Sequence, residues 1–598
     1  MTLNKIIFNM DEKLISENAR TIAAKRYLRL DPEGKPIESI REMFQRISEY
    51  VAKAETDLSD KNSTYKKPGH EELDSIVKDF YDIQSNFEFL SGISLLDRGK
   101  NDLVAACYVM PIHDSIESIY GTLAETVVLH RRGAGVGYDF SEIRPEGTKI
   151  KSTGREASGP ISFMRLYDFS SEVILNRGSV RHAGHMGILR IDHPDIYKFI
   201  SAKRDYSQLT NFNISIAITD EFIDAVKNDK NFDLKYDGEV YKTLPARELL
   251  HQIVECIYAS GEPGFVFVDE INRFNPTPNV GRMTATNLCG EQPLLPYEAC
   301  NLGSIVLNKF VKKDEALKDL PFDQKIDWIR LEFVVKTGVR FLDNTITVSH
   351  HLLPAIEQLV KYGNRKIGLG VMGWADMLVD LNIPYNSQKA LDLAEKIMKF
   401  IDDKGHEESE KLGKERGSFG NFKDSLWDTK GHKHMRNATV TTIAPNGTTS
   451  LFADCNGGIE PFFAFAYFRQ NMETMGETKL VFMNTILENR LKSNWLYSSE
   501  LMQEIAEKGT INNISKIPDS IKKVFVCAFD ISPEWHIKMQ GAFQKFTDNA
   551  VSKTINLPES ATIKDIENAF KLATELHLKG LTIYRDKSRD KQVLNLKN

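Results

Sequence analysis

The sequence predicts an α/β protein with a helical N-terminal region. Within the first 95 residues, the segment SIREMFQRISEYVAKA (39–54) repeats apolar side chains every three to four positions, the period of an amphipathic helix. From about Asn101 onward, short apolar runs such as LVAACYVM and FNISIAIT alternate with longer amphipathic segments. That alternation is typical of βα units and a parallel sheet. We therefore predict two domains, a helical region of residues 1–95 and an α/β domain of residues 96–598.

The individual elements follow from the same patterns in chain order. A turn-like EGKP at 33–36 precedes the first long helix, and a second helix lies around Phe80. The next clear unit is a strand at Cys107 followed by a helix, for which Asp114 is the predicted N-cap and Gly133 the predicted end. Near the C-terminus an amphipathic helix around Phe570 precedes a strand-like LTIY.

Charge and hydropathy exclude several classes of protein. The 598 residues include 77 Lys or Arg and 83 Asp or Glu, a formal net charge of −6, so no strongly basic surface for nucleic acid is expected. No apolar run reaches the roughly 18 to 20 residues of a membrane span. The N-terminus MTLNKIIFNMDEK lacks the long apolar core of a secretory signal. We expect a cytoplasmic protein with no membrane or nucleic-acid partner.

The cysteine count points to chemistry rather than to a scaffold. Six cysteines in 598 residues are too sparse for a disulfide framework, and without a CxxC pair a zinc ribbon is not expected. A cysteine with a function in such a chain is catalytic, redox-active or metal-binding. The cysteines are Cys107, Cys256, Cys289, Cys300, Cys455 and Cys527.

A glycine-rich run invites a nucleotide-binding interpretation that its context excludes. Gly133, Gly135 and Gly137 form GxGxG, but the third spacing of a dinucleotide fingerprint is absent and the run follows a helix instead of a strand. We therefore reject a Rossmann fold.

The segment TATNLCGEQPLLPYEACNLGSIVLN carries the densest candidate chemistry. Asn287, Cys289 and Glu291 are two residues apart, which places them on one side of an extended loop. A thiol between a carboxylate and an amide suits radical or nucleophilic chemistry on a polyol, because the carboxylate accepts a proton while the amide orients the substrate. Cys300 follows just before a predicted strand. The alternative is a turn with two inert cysteines.

These residues resemble the finger loop of ribonucleotide reductases, specifically the adenosylcobalamin-dependent class. Further blocks resemble the family in the same order over residues 15 to 590. They include RRGAGVGYDFSEIRPEG, STGREASGPISFMR, LTNFNISIAITD, RKIGLGVMGWADML, APNGTTSLFADCNGGIEP and SPEWHIKMQGAFQKFTDNAVSKTINLP. The resemblance implies a ten-stranded α/β barrel made of two parallel five-stranded halves. A finger loop, at about 284–300, passes through its centre, and a helical N-terminal region packs outside.

The resemblance also implies catalytic roles. Cys289 corresponds to the cysteine that becomes a thiyl radical and abstracts the 3′-hydrogen of the ribose. Glu291 corresponds to the carboxylate that takes the 3′-hydroxyl proton, and Asn287 to the amide near the 2′ position. Cys107 and Cys300 correspond to the reducing pair, which supplies two electrons by forming a disulfide. The other three cysteines are expected to be buried and structural.

Substrate and effector contacts are implied in the same way. The turn APNGTTS suits a nest of backbone N–H groups for phosphate. The implied substrate contacts are Ala106, Asn446, Gly447, Thr448, Thr449, Ser450 and Arg181. Asp114 and Arg144 match contacts to a deoxynucleotide or ATP effector, within effector loops at about 114–186. The second of these loops, 176–186, carries Arg181 as its contact to the base. It also carries His182 and His185, where relatives have other residues, but without further ligands no metal site is predicted.

The class of radical generator follows from two motifs that the sequence lacks. The chain has Tyr584 followed by Arg585, not the adjacent tyrosines that relay a radical from a second subunit, and no glycyl-radical motif. This favours adenosylcobalamin. No cysteine follows Cys527. An external thioredoxin-like dithiol is the expected reductant, and the alternatives are a relay on another chain or a shortened form of the protein.

We therefore predict reduction of ribonucleotides, with diphosphates preferred, to 2′-deoxyribonucleotides by a cobalamin-dependent homodimer. One alternative is the large subunit of a two-component reductase that needs a separate radical-generating subunit. Another is a nucleotide-binding relative that has lost catalysis.

Overall fold

The N-terminal helices form where the sequence predicts them. The structure is a computed structural model and describes residues 10, 15–57, 65–92, 95, 98, 105–175, 184–205, 207–314, 317, 320–469, 480–588 and 594–595. The helix predicted at 39–54 begins after Ser39, whose side chain forms a capping box with Glu42, a favourable N-terminus. The region comprises α1 (Glu17–Arg26), α2 (Ile40–Ala52), α3 (Ala54–Asp57), α4 (His70–Ser85) and the strand β1 (Phe89–Ser91).

Five parallel strands then form the first half of a barrel. They are β2 (Cys107–Val109), β3 (Gly135–Asp139), β4 (His185–Arg190), β5 (Phe212–Ile218) and β8 (Gly264–Phe267), and each pairs with the next in that order. Along the chain, a separate hairpin of β6 (Asn231–Tyr236) and β7 (Glu239–Pro245) is inserted between β5 and β8. The helices are α5 (Ile116–His130), α6 (Gly159–Leu175), α7 (Ile196–Ser201), α8 (Asp220–Lys227), α9 (Ala246–Ser260) and α10 (Val268–Arg273).

The predicted start of α5 was wrong, whereas its predicted end was right. Ser115, not Asp114, is the N-cap, and its hydroxyl accepts from the N–H of Ser118. The reason is that the Asp114 carboxylate accepts from Arg144 instead. At the other end, the N–H of Gly133 donates to the carbonyl of His130 at 2.8 Å and Gly133 has a φ of 79°, so Gly133 closes the helix as predicted.

The finger loop is a short hairpin between the two halves of the barrel. Its strands are β9 (Ala285–Thr286) and β10 (Pro293–Leu294). The glycine run explains how the hairpin approaches β3: a Cβ on Gly137 would lie 1.9 Å from the carbonyl oxygen of Thr286, and one on Gly135 would lie 2.1 Å from Cδ1 of Leu288. The two glycines, two positions apart on a strand, share the face that the finger covers. They serve close backbone packing, in agreement with the rejected Rossmann interpretation.

The second half of the barrel repeats the parallel arrangement. After β11 (Glu298–Ala299), β12 (Asn301–Val306) pairs with β13 (Ile367–Met372). Parallel bridges from Leu369 to Thr441 and from Ile443 to Val551 continue the ladder. The helices between these segments are α11 (Trp328–Val348), α12 (Pro354–Ile356, continued by a π-helix at Glu357–Asn364), α13 (Trp374–Asp380), α14 (Gln388–Arg416), α15 (Leu426–Thr429) and α16 (Thr449–Phe452).

The remaining elements complete the ladder and cover it. An outer sheet has β14 (Ala466–Arg469) between β15 (Leu480–Met483) and β18 (Leu594–Asn595). The last barrel strands are β16 (Thr554–Leu557) and β17 (Gly580–Arg585), which are parallel to each other. The helices are α17 (Thr485–Ser493), α18 (Ser499–Lys508), α19 (Asp519–Lys522), α20 (Pro533–Gln544) and α21 (Ile563–Glu575).

Two antiparallel junctions join the halves. Gly580 of β17 pairs with Val266 of β8, and Ala299 of β11 pairs with Tyr108 of β2. The ladder therefore passes through five parallel segments in each half, which confirms the predicted barrel. Among the described helices, no stretch combines the length and hydropathy of a membrane span.

Candidate active site

The finger tip is a tight turn, not the extended loop that the spacing predicted. The N–H of Gly290 donates to the carbonyl of Asn287 at 3.2 Å, and Gly290 has a φ of 78°, a value that favours glycine. Asn287 and Glu291 are consequently buried, while Cys289 is exposed at the tip. The thiol is thus presented to the barrel interior by a turn whose two flanks are fixed.

Both halves of the barrel hold this turn in place. The carbonyl of Glu291 accepts from the hydroxyl of Thr442 at 2.9 Å and from the N–H of Ala550 at 3.0 Å. From the first half, Nδ2 of Asn213 donates to the carbonyl of Leu288 at 3.0 Å. Contacts on either side of Cys289 fix its backbone, as a reacting group requires.

The two polar atoms of the Asn287 side chain differ, because one forms a hydrogen bond within the finger and the other does not. Its Oδ1 accepts from the N–H of Gln292 at 3.1 Å. Its Nδ2 is buried and has no hydrogen-bond partner within the described part of the chain. An unpaired buried donor is costly, so it is a candidate contact for a substrate hydroxyl.

The register of the barrel brings Cys107 and Cys300 together. Val109 lies opposite Glu298, and Tyr108 lies opposite Ala299. One further step in this antiparallel register places Cys107 opposite Cys300. Residues opposite each other have Cα atoms about 4.5–5.5 Å apart, which is within the range of a disulfide.

The same thiol pair lies under the finger tip. Cys107 is paired in register with Gly135 of β3, the glycine that the side chain of Leu288 covers. Because residues paired in register point to the same face of a sheet, Cys107 faces the finger. The structure therefore places Cys107 and Cys300 under the finger that carries Cys289, and Ala106 directly precedes Cys107 in the chain.

Two adjoining cavities meet at this site. One, of about 490 Å³, is lined by Cys289, Leu288, Gln540 and Tyr584. The other, of about 470 Å³, is lined by residues of the predicted phosphate loop, Gly447 and Ser450. Four residues line both cavities: Pro445, Phe463, Thr554 and Asn556.

The predicted phosphate loop is anchored to the second half of the barrel. Oδ1 of Asn446 accepts from the hydroxyl of Ser304 on β12 at 3.0 Å, and its Nδ2 donates to the carbonyl of Val371 at 3.3 Å. The N–H of Ser450 donates to the carbonyl of Asn446 at 2.9 Å, which starts the short helix α16. Thr448 is the N-cap of this helix and Thr449 its first residue, where backbone N–H groups point out of a helix.

Comparison with known proteins agrees with this geometry. The family model "Ribonucleotide reductase, barrel domain" matches residues 105–584, and "Ribonucleotide reductase, all-alpha domain" matches residues 13–92. The chain belongs to the ribonucleotide reductase family. The resemblance inferred from the sequence is thereby confirmed.

Two relatives of this ribonucleotide reductase carry the same descriptive name, vitamin B12-dependent ribonucleoside-diphosphate reductase. The protein from Thermoplasma acidophilum is 40% identical over 98% of this chain and 80% of its own length. The protein from Mycobacterium tuberculosis (strain H37Rv) gives the same three values. A solved structure, the Actinobacillus ureae class Id ribonucleotide reductase alpha subunit, superposes with a TM-score of 0.74. It covers 97% of this chain and 98% of its own, but at 22% identity it supports the fold alone.

In this reductase the two predicted effector residues contact each other. Nε of Arg144 donates to Oδ2 of Asp114 at 2.6 Å, and the N–H of Arg144 donates to Oδ1 at 3.2 Å. Arg181 and His182 lie outside the described residues. His185 is a core residue, not a loop residue, because it lies on β4. Its Nε2 forms a hydrogen bond of 2.6 Å with the hydroxyl of Ser171, and its ring stacks on Phe212.

Sequence reasoning missed several polar residues behind Cys300. Nδ2 of Asn549 lies 3.7 Å from Sγ of Cys300, and the fully buried Lys366 and Glu298 form an ion pair of 2.7 Å nearby. Asn549 stands in a block that resembles the family, but no local pattern shows that a single amide in that block faces a cysteine.

The three cysteines without a predicted role differ in how deeply they are buried. Cys256 and Cys527 are buried as expected. Cys455 is only half-buried and lines the cavity of the phosphate loop, because it follows directly after α16.

Proposed function

We propose that this ribonucleotide reductase converts ribonucleoside diphosphates to 2′-deoxyribonucleoside diphosphates with adenosylcobalamin as its cofactor. The observation that carries the proposal is the cross-strand placement of Cys107 and Cys300 beneath the finger tip that presents Cys289. The names of the relatives at 40% identity support both the cofactor and the diphosphate substrate.

Each residue at the tip has a separate task in this reaction. The Cys289 thiyl radical abstracts the hydrogen from the 3′ carbon, and the Glu291 carboxylate accepts the proton of the 3′ hydroxyl. The buried Nδ2 of Asn287 donates to the substrate near the 2′ position. The 2′ oxygen leaves as water, and Cys107 and Cys300 supply two electrons and two protons while they form a disulfide.

The cavity beside Cys289 fits the nucleoside part of the cofactor. Its volume of about 490 Å³ is that of a small-molecule site. Oε1 of Gln540 is buried there and has no partner among the described residues. Gly264 keeps the wall open, since a Cβ would lie 2.9 Å from the hydroxyl of Ser215. Gln540, Ser215 and Gly264 would hold the group, which when bound supplies the radical that oxidises the Cys289 thiol.

The decisive experiment is turnover without any second protein. The purified chain with adenosylcobalamin, a ribonucleoside diphosphate, an effector and dithiothreitol is expected to release the deoxynucleotide. The Cys289→Ser variant should bind the nucleotide and lose all turnover. If activity appeared only after a radical-generating subunit was added, the chain would be the large subunit of a two-component reductase. If Cys289→Ser kept the parent's turnover, the mechanism would be wrong.

A homodimer and an effector site complete the proposal. Large apolar side chains on α5 and α6 are more than half exposed, namely Ile116, Tyr120, Phe169 and Val173. The two helices contact each other, and α5 begins beside the Asp114–Arg144 pair. An exposed apolar face of this kind marks an interaction surface, and a second copy of the chain is the proposed occupant.

The dimer has its own test. Light scattering after gel filtration should give the mass of two chains for the parent and of one chain for Phe169→Asp. Trp495→Asp changes an even more exposed aromatic residue, two positions after the last residue of α17, and should leave the dimer intact. A monomeric parent would contradict the proposed surface.

A further inference from the structure

The two thiols of the reducing pair lie in unequal surroundings. Cys300 is 1% exposed and belongs to an apolar cluster with Val109, Met186 and Leu294. Cys107 is partly exposed. Thiol–disulfide exchange depends on which sulfur the attacking thiolate can reach. Access alone therefore directs an incoming thiolate to Cys107.

Attack at Cys107 makes Cys300 the leaving thiolate, which needs stabilisation in this environment. Burial raises the pKa of the Cys300 thiol well above its ordinary value. The side-chain amide of Asn549 opposes this effect, because Nδ2 donates to Sγ at 3.7 Å. A hydrogen bond to the charged form favours that form, and it is stronger where the surroundings are apolar.

Asn549 is held in the orientation that this contact requires. It is 4% exposed, and its N–H donates to the carbonyl of Thr441 at 3.1 Å. Nδ2 also donates to the hydroxyl of Thr439 at 3.2 Å, and the Lys579 ammonium donates to the Asn549 carbonyl. The amide is thus fixed before any charge forms on the sulfur.

The nearby buried charges do not replace this amide. The Lys366 ammonium lowers the pKa of Cys300, but the carboxylates of Glu298, 2.7 Å from that ammonium, and of Glu291 both raise that pKa. Because the two effects oppose each other, the amide of Asn549 is the directional contribution to a thiolate at Cys300.

Building on the proposed function, we propose that Asn549 makes Cys300 the leaving group when an external dithiol re-reduces the Cys107–Cys300 disulfide. One thiolate of the dithiol attacks Sγ of Cys107. The bond between the two cysteines breaks with its electron pair on Cys300, and a mixed disulfide forms at Cys107. The second thiolate of the dithiol then attacks the dithiol's own first sulfur, which is bonded to Cys107, and releases Cys107 as a thiolate. Two electrons pass to the protein, the dithiol leaves as a disulfide, and its two protons end on Cys107 and Cys300.

The first test maps the mixed disulfide. The holoenzyme is oxidised by one turnover, exposed briefly to glutathione, quenched in acid with N-ethylmaleimide and analysed by peptide mass spectrometry. Glutathione is expected on Cys107 and the maleimide on Cys300. The reverse pattern would overturn the proposal.

The second test separates the amide from the fold around it. Asn549→Ala should slow re-reduction by dithiothreitol roughly 10- to 100-fold more than it slows the first turnover of pre-reduced enzyme, the range of a hydrogen bond to a charged group. Asn549→Asp, which keeps the shape but replaces the donor by an acceptor, should slow re-reduction as well, and more so as pH rises. Thr439→Val removes one of the contacts that hold the amide but leaves the amide itself, so it should slow re-reduction less than Asn549→Ala does.

The outcomes distinguish this proposal from the one on which it rests. Equal re-reduction rates in the parent and both Asn549 variants would refute the role of the amide. An equal or larger loss in Thr439→Val, or an equal slowing of the first turnover in Asn549→Ala, would make Asn549 a structural residue. If the parent itself formed no deoxynucleotide in the first turnover, the proposed function would fail instead.

Discussion

The approach of the finger to β3 gives a prediction whose size follows from two distances. An alanine at position 137 places its Cβ 1.9 Å from the carbonyl oxygen of Thr286, whereas ordinary contacts begin at 3.4 Å. The hairpin must therefore move by about 1.5 Å, the difference between these two distances. A displacement of about 1 Å of a reacting group can cost on the order of 100-fold in rate. We expect Gly137→Ala to lose at least that factor in kcat.

Gly135→Ala meets a different obstacle and supplies the internal comparison. Its Cβ would lie 2.1 Å from Cδ1 of Leu288, a side chain that can be shortened. The double variant with Gly135→Ala and Leu288→Ala should therefore be as active as Leu288→Ala alone. Leu288→Ala should not rescue Gly137→Ala, because the obstacle there is the backbone carbonyl of Thr286. A double-mutant cycle measures this difference directly.

The assay is steady-state formation of deoxynucleotide, with thermal unfolding of each variant measured in parallel. Overpacking typically costs about 1–3 kcal/mol, so the variants should remain folded at 25 °C while they lose activity. Gly69→Ala, at a glycine with open space around its Cβ position, should behave like the parent. Normal turnover in Gly137→Ala would show that the finger does not need its close approach, and the reasoning would fail.

Three further predictions concern stability, each measured by chemical denaturation. Ser39→Ala removes the N-cap of α2 and should cost about 1 kcal/mol, whereas Ser39→Asp should retain most of the stability. Burial lowers the pKa of His406, but the Asp548 carboxylate raises it more, to about 9. This contribution to stability is complete below the ordinary value of 6.5 and disappears as pH rises through 9, a loss on the order of 3 kcal/mol. His406→Gln should abolish this pH dependence, and an unchanged pH slope in that variant would contradict the prediction. Lys366→Met leaves the buried Glu298 carboxylate without its cation and should lower the free energy of unfolding by about 3–5 kcal/mol. Adding Glu298→Gln should recover part of this loss. If the losses in the double variant were purely additive, the pairing would be wrong.

The sequence predicted the features that depend on local patterns. Apolar spacing located α2, α4 and α21, because the period of a helix is written directly into the chain. The run of glycines at 133–137 was correctly not assigned to a Rossmann fold, since its order relative to helix and strand is visible in the sequence. The family followed from blocks whose combination is specific, and Asn287, Cys289 and Glu291 were found as candidates from their spacing.

Local patterns failed where a residue serves a distant partner. The N-cap of α5 was misplaced because the carboxylate of Asp114 accepts from Arg144, 30 positions away. The finger tip was expected to be extended, but its anchors at Thr442 and Ala550 hold it as a turn. His185 belongs to the core and not to an exposed loop because it lies on a strand that pairs with β3 and β5.

By itself, the sequence determined the class of protein, its helices and the candidate residues for its chemistry. Only the tertiary structure decided which of them meet. The register between β11 and β2 sets Cys300 opposite Cys107, and the missing side chains of Gly135 and Gly137 let the finger bring Cys289 above them. Asn549 joins them from the far end of the chain. Pairing across nearly two hundred residues depends on how strands align in a closed barrel, and no local preference of the chain encodes that alignment.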